Sequence, residues 1–341
     1  MLTARNLAAT LGLALPTLAA PAYAEDVVLR YSNWLPPGFH LVEDVMKPWI
    51  ADVEEVTEGR VTVEMLPKVV GTVAGQYDVL ADGLADVSLW CPCYSPGRFP
   101  LLEGFELPFL GDDPITRSVA SWQMYEKYLA DTSTFEDIKV LSLFASNSGH
   151  LMTVDEPVTT AAGFDGMRLR TPSPVATDVL NLLGSVPVPK PMTELYELAA
   201  GGVVDGAVLP IDTFLAFNLD EVLKQMNLVE GGLYNTMMVV GMNPAKWEQI
   251  SEEDRAAIEE VSGEHLARVN GEVLQNVADN TLAALDSRGV SLNRMPEDEI
   301  EAMKVALKPI WDAWIDKAQE AGMSDPNALL TDLAELAGGG L

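Results

Sequence analysis

The stretch Gly163-Phe164-Asp165-Gly166-Met167-Arg168-Leu169-Arg170-Thr171-Pro172-Ser173-Pro174 decides the fold. Met167, Leu169 and Thr171 alternate with Arg168 and Arg170, the two-residue period of a strand. Pro172 and Pro174 end it, because proline has no N–H to give to a ladder. Arg170 is therefore expected at the carboxyl end of a strand, the edge where open α/β sheets bind ligands. A guanidinium there can grip a carboxylate through two parallel hydrogen bonds, which an ammonium cannot reproduce. The competing reading makes both arginines solvated charges on a half-exposed strand.

Working outward, Tyr196 to Pro210 reads as a helix stopped by Gly201-Gly202, then Val203-Val204-Asp205-Gly206 leading into a short buried strand. Tyr77 to Trp90 reads alike through Asp82-Gly83-Leu84-Ala85-Asp86-Val87. These are two copies of one architectural step, one per domain. Val27 to Ser32 and Val61 to Met65 are strands around a helix from His40 to Val56 with one apolar face. Strand–helix–strand in that order implies a parallel sheet with a crossover helix. The apolar, proline-rich runs Tyr94 to Pro100 and Phe105 to Leu110 are ordered loops rather than polar linkers.

Val140 to Ala145 is the next strand, and Ser146 to Gly149 has the small residues of a crossing between domains. Thr236 to Val240 is a strand returning to the first domain. Ser251 and Asp254 make a capping box. The helix it opens is expected to run to Leu285, with Ile258, Val261, His265, Val269, Val273 and Val277 on its buried face. Residues 296–320 form an amphipathic helix carrying Trp311 and Trp314, and Gly338 to Leu341 are expected to fray. The fold class is a two-lobed α/β protein. Lobe one is residues 25–146 plus about 236–275, and lobe two is 147–235 plus about 276–341.

Gly166-Met167-Arg168-Leu169-Arg170-Thr171-Pro172, followed by Pro187-Val188-Pro189, Glu194-Leu195-Tyr196-Glu197-Leu198 and Gly202-Val203-Val204-Asp205-Gly206, resembles the solute-binding proteins of TRAP transporters (tripartite ATP-independent periplasmic, DctP-type). The match runs from the leader to beyond Trp247. The resemblance implies a periplasmic binding protein fold with a hinge and a long bracing helix. It implies capture of a small organic anion for delivery to TRAP membrane permease subunits, with Arg170 clamping the carboxylate. Two departures matter. Members often carry asparagine or glutamate where this chain has Leu209, and a second arginine where it has Asn147 to His150. The resemblance then implies one carboxylate on Arg170 and an apolar or aromatic body against Trp90, Leu209 and Phe214. It argues against heavily hydroxylated sialic-type acids.

His40, Trp90, Tyr94, Asn147, His150, Arg170, Leu209, Phe214 and Tyr234 are the residues expected to face the cleft. Trp90 closes a strand and can stack on a ring, with plain core packing as its alternative. His150, expected exposed just past the hinge, can donate to a carboxylate or serve structure alone. His265 is read as packing.

Residues 1–24 read as a signal peptide: Arg5, an apolar run from Leu7 to Leu18, and Ala22-Tyr23-Ala24 before the cut. That run is shorter than the roughly 20 apolar residues of a membrane span. Export to the periplasm is expected, leaving 317 residues, enough for two domains. The net charge of −30 excludes nucleic acid as a partner, since its phosphates are repelled.

Cys91 and Cys93, two residues apart on an extended segment, are poorly placed for a disulfide and read as small apolar fillers near the pocket wall. Three scattered histidines make no metal spacing, and no cofactor is expected. Nucleophile elbows, zinc motifs and phosphate loops are absent, so the chain is not expected to be an enzyme. Asp86 and Asp205 sit in matching helix-to-strand joints and read as turn chemistry rather than a catalytic pair. A monomer is expected. A ligand-sensing subunit for a membrane receptor has the same fold and pocket, and that reading stands open beside transport, with a secreted enzyme third.

Overall fold

A computed structural model describes residues 26–340; the leader and its cleavage after Ala24 lie outside the described residues. Eleven strands are assigned among them: β1 (Val27–Ser32), β2 (Val61–Met65), β3 (Val87–Trp90), β4 (Lys139–Ala145), β5 (Gly149–Thr153), β6 (Arg168–Thr171), β7 (Val186–Pro189), β8 (Gly206–Pro210), β9 (Gln225–Leu228), β10 (Met237–Met242) and β11 (Ser291–Arg294). They form two sheets, ordered β2-β1-β3-β10-β4 and β11-β9-β5-β8-β6-β7. In the first, β1 is parallel to β2 and β3, and β10 runs antiparallel between β3 and β4. In the second, β6 is parallel to β7 and β8, while β5 is antiparallel to β8 and β9. Helices cover both faces, so the central strands are buried throughout: every residue of Val87–Trp90 and of Gly206–Pro210 is inside.

The repeated step of the sequence is a repeated structure. In the first sheet Asp86 accepts from the Arg30 backbone N–H (2.8 Å) and from its guanidinium, which also donates to the Gly83 carbonyl. In the second sheet Asp205 accepts from the Arg168 N–H (2.8 Å) and guanidinium, which also donates to the Gly202 carbonyl. The aspartates return a bond each, from Asp86 N–H to Arg30 C=O and from Asp205 N–H to Arg168 C=O. Each arginine–aspartate pair therefore staples a helix-to-strand turn onto the neighbouring parallel strand. Asp86 and Asp205 are turn residues, consumed by their own arginines.

The chain passes from the first sheet to the second between Ala145 and Gly149, back between Leu228 and Met237, and to the second again between Met242 and Ser291. The first two crossings are bonded to each other. Ser146 N–H donates to Thr236 C=O (2.8 Å), Gly149 N–H to Tyr234 C=O (2.9 Å), and the Asn235 side chain to Ser146 C=O (3.0 Å). The long helix Gly263–Ala284 spans the same region, packing on helix Pro114–Tyr128, β4 and helix Ile211–Ala216. Gly271 permits the first of these contacts, because a Cβ there would overlap the Ile115 backbone.

Three expectations change in this part of the chain. The capping box forms, with Asp254 N–H donating to Ser251 Oγ (3.1 Å), but its helix ends at Glu260. Gly263, at φ +52°, starts a second helix with a new phase. The buried stripe is accordingly Leu266, Asn270, Leu274 and Ala278, and His265 is exposed rather than packed. Helix Pro326–Ala337 packs on helix Pro114–Tyr128, and residues 338–340 after it are held rather than frayed, with Gly340 N–H donating to Phe109 C=O (2.7 Å), while Leu341 lies outside the described residues. The helix expected over 296–320 is Glu297–Glu320, with Trp311 and Trp314 buried on it.

Glu106 lies beside the crossings, its carbonyl accepting from Asn235 N–H. It is 2% exposed and one carboxyl oxygen has no partner. Burial pushes its carboxyl up to about 8, opposed by a hydrogen bond from Ser173. The folded value thus lies above the ordinary 4.5, so the stability tied to the neutral acid is complete at low pH and drains as pH rises through 8. Thermal melts from about pH 5 to pH 9 should show wild type losing stability at up to about 1.4 kcal/mol per pH unit inside that window. Glu106→Gln should flatten the profile; an unchanged slope in the variant would assign the loss to other groups.

Candidate functional site

Residues at or just beyond the carboxyl ends of β1, β3, β6 and β8 line one cavity. About 70 Å³ of it is open to the centre of a water-sized sphere. Its wall from the first sheet's side is the loop after β1 (Trp34, Leu35, Phe39), Cys91, Cys93 and Tyr94. The wall from the second sheet's side holds Arg170, Pro172, Met192, Pro210, Asp212, Thr213 and Phe217, with Tyr234, Asn270 and Leu274 at the junction. Apolar surface dominates.

Arg170 is 0% exposed. It sits on β6 opposite Ala207 and Val188, one position before the strand's end, and its Nε donates to Lys190 C=O (2.7 Å). That bond fixes the guanidinium plane. Its two terminal nitrogens are buried with no partner. A planar fork with both tines free, in an apolar cavity, is a receptor for two acceptor atoms held side by side. Arg168, by contrast, is half-exposed and tied to Asp205.

Tyr234 packs its ring against Gly149, where a Cβ would collide with it, and donates from its hydroxyl to Val208 C=O (3.2 Å). Burial raises its pKa, and Arg170 partly offsets that. Tyr94 accepts from Met192 N–H (3.2 Å), bridging the two sides of the cavity, and meets Trp34 edge-on. Of the expected site residues, Arg170, Tyr94 and Tyr234 line the cavity.

His40 and Asn147 stand behind it. The Asn147 amide donates to Asp212 Oδ1 (2.9 Å) and Leu274 C=O (3.2 Å), and His40 Nε2 lies 3.1 Å from Asp212 Oδ2. Their shared object is Asp212, which the sequence reading passed over although it follows Pro210 by two positions.

The remaining four are elsewhere. Trp90 points to the opposite face of β3, into a cluster with Tyr77, Phe99 and Phe135 at ring separations of 5.3, 5.2 and 5.9 Å. Strand alternation gives the cavity face to Cys91 instead. Leu209 alternates away from Pro210 into the core beneath the second sheet. Phe214 joins that core, and Phe217, one helical turn later, takes the cavity wall. His150 is buried, not exposed: its Nδ1 accepts from Val229 N–H (3.3 Å), burial lowers its pKa, and it lines a separate cavity with Asp112 and Arg294.

Cys91 and Cys93 do line the cavity, but they are joined in a disulfide. Cys91 is extended, and the turn Pro92–Tyr94 curls the chain so that the two Cα atoms lie 5.1 Å apart. That separation is well inside the usual disulfide range, whereas in a straight strand such residues stand about 6.6 Å apart, at its far limit.

Asn270 was also missed. Its signal was present as a lone amide on the apolar stripe Leu266–Leu274, hidden by the wrong helical phase. Among the described residues no group of three or more His, Cys, Asp or Glu is placed to hold a metal ion, and no helix is long and apolar enough to cross a membrane.

Comparison with known proteins agrees with this architecture. A TRAP periplasmic solute-binding protein from Bordetella bronchiseptica, with bound (R)- and (S)-mandelate, is 33% identical and superposes with a TM-score of 0.88, covering 92% of this chain and 99% of that one. A TRAP solute-binding protein from Rhodoferax ferrireducens in complex with copurified benzoate is 27% identical, with a TM-score of 0.86 and coverage of 92% and 98%. The C4-dicarboxylate-binding periplasmic protein DctP of Rhodobacter capsulatus is 25% identical over 335 residues, 93% of this chain and 96% of that protein. The DctP family model, bacterial extracellular solute-binding protein family 7, matches residues 31–317. With the two sheets, their paired crossings and the free arginine fork between them, this match places the chain in the DctP family of TRAP-type extracellular solute-binding proteins.

Proposed function

We propose that the protein captures a small monocarboxylate with an apolar, aromatic body in the periplasm and hands it unchanged to a TRAP membrane permease. The observation that carries this reading is the guanidinium of Arg170, with two buried, unpartnered nitrogens in a cavity walled mainly by Trp34, Phe39, Met192 and Phe217. A carboxylate satisfies both nitrogens at once, and the ring of an aromatic acid matches the wall. Mandelate and benzoate in two structural relatives support the same ligand class. The leader-like residues 1–24 support export.

Lobes centred on the two sheets open and close about the crossings at Ser146–Ser148 and Asn235–Thr236. With Arg170 wholly enclosed, ligand enters only when the lobes part. Small-angle scattering should therefore show a smaller radius of gyration with saturating ligand than without; an equal radius in both states would contradict closure.

Calorimetric titration with benzoate or mandelate tests the arginine. Arg170→Ala leaves a carboxylate buried and unpaired, and should weaken binding by roughly 2–5 kcal/mol, about 30-fold or more. Arg170→Lys should restore little, because an ammonium lacks the planar fork. Arg168→Ala should leave affinity within about threefold, since Arg168 serves Asp205. Wild-type affinity in Arg170→Ala would remove the clamp from this residue.

A further inference from the structure

Contacts around the cavity join the first sheet's side to the second's. Tyr94 accepts from Met192 N–H at 3.2 Å, the rings of Phe39 and Phe217 lie 5.5 Å apart, and His40 Nε2 stands 3.1 Å from Asp212 Oδ2. The last of these is made between two titratable groups, both buried. At that distance Nε2 must carry a hydrogen, since two lone pairs would repel. The contact is one of charge and distance rather than an aligned hydrogen bond, and among the described residues Nε2 has no other partner. His40 opens the helical run after β1, while Asp212 stands in the first turn of the helix after β8. Asp212 is also tied to the first crossing: its Oδ1 accepts from the Asn147 amide at 2.9 Å, which donates as well to Leu274 C=O on the long helix. One oxygen is thus anchored where the chain changes sheets, and the other faces the opposite side.

Resting on the closure proposed above, we infer that His40 and Asp212 form a latch between the lobes, made when they close on ligand and parted when they open. Both are then positioning residues, which set how long the closed form lasts rather than how ligand is first met. Parting returns the two groups to water, so the open form carries no unpaired buried charge on their account. Closing exchanges that hydration for the ion contact, and desolvation offsets much of the gain. A pair of this kind slows reopening around a ligand without holding empty lobes shut. Its anchor on Asn147 gives the latch one register, because Asp212 cannot turn its second oxygen away without losing the bond to the crossing.

The test is a double-mutant cycle with His40→Phe, Asp212→Asn and the double variant, titrated with benzoate and mandelate and followed by stopped-flow kinetics. Asp212→Asn keeps an oxygen for Asn147 and sets an NH₂ group against His40. Each single change should weaken binding about threefold to thirtyfold, and the double variant no more than the worse single one, because either loss already breaks the pair. The effect should lie in faster release, with association within about threefold of wild type. Thermal melts without ligand should show no coupling between the two sites. His40→Gln, whose amide can donate to the same oxygen, should restore most of the affinity. The inference is overturned if the two changes add in affinity, if association slows as much as release quickens, or if ligand-free melts show the same coupling, which would make the pair a fixed support. In those cases acid binding and ligand-dependent compaction by the wild type leave the proposed function standing. A wild type that binds neither acid, or does not compact on binding, overturns both. If His40→Phe does not fold, His40→Asn, too short to reach Oδ2, takes its place in the cycle.

Discussion

A cation enclosed without an anion is the constraint on which this structure turns. Arg170 is 0% exposed and its terminal nitrogens are unpartnered. Guanidinium groups stay charged in proteins, so burial cannot be relieved by losing a proton. Enclosing an unpaired charge costs several kcal/mol even after relaxation. The proposed closure places this penalty on the closed arrangement alone, since opening would return the group to water. The proposed carboxylate would cancel it. Under that proposal the ligand's differential affinity for the closed form is built into one side chain, which is the requirement for a ligand to shift such an equilibrium. The Nε bond to Lys190 C=O adds precision, holding the fork in one plane before any ligand arrives.

The scaffold that presents this group is a duplicated joint. Arg30 with Asp86, and Arg168 with Asp205, make the same bonds to the same backbone positions in the two sheets. In each case the arginine is on a parallel strand and the aspartate in the turn feeding the next one. The joint sets where the carboxyl ends of the strands finish, and those ends make the cavity. Arg170 is two residues beyond the second joint's arginine, so fixing Arg168 also fixes the direction in which Arg170 leaves the sheet. The net charge of −30 does not oppose an anionic ligand here. Exposed charges are screened over about a Debye length, whereas the contacts inside a closed cavity are not.

What the sequence determined was periodicity and punctuation. Alternation in Met167–Thr171 with Pro172 behind it is enough to put Arg170 at a strand end, since both signals are local. The matching Tyr77–Trp90 and Tyr196–Pro210 runs are visible for the same reason, as is the capping box at Ser251. The run Ser146–Gly149 reads as a crossing from its small and polar residues, and Gly149 is where a Cβ would collide with Tyr234.

Which way each side chain faces was decided by tertiary structure. Trp90, Leu209 and Phe214 are one strand or helix phase away from the cavity, and a one-residue difference in β pairing moves a side chain to the other face. Nothing local distinguishes Trp90 from Cys91; the aromatic cluster of Tyr77, Phe99 and Phe135 does, and those residues come from distant parts of the chain. The break at Ser262–Gly263 resets the phase of the long helix, exposing His265 and turning Asn270 inward. The Cys91–Cys93 disulfide depends on a turn at Pro92 that alternation alone could not supply. Identity of elements is a short-range property of the chain, whereas a binding site is made of directions, and directions are fixed only when remote elements pack.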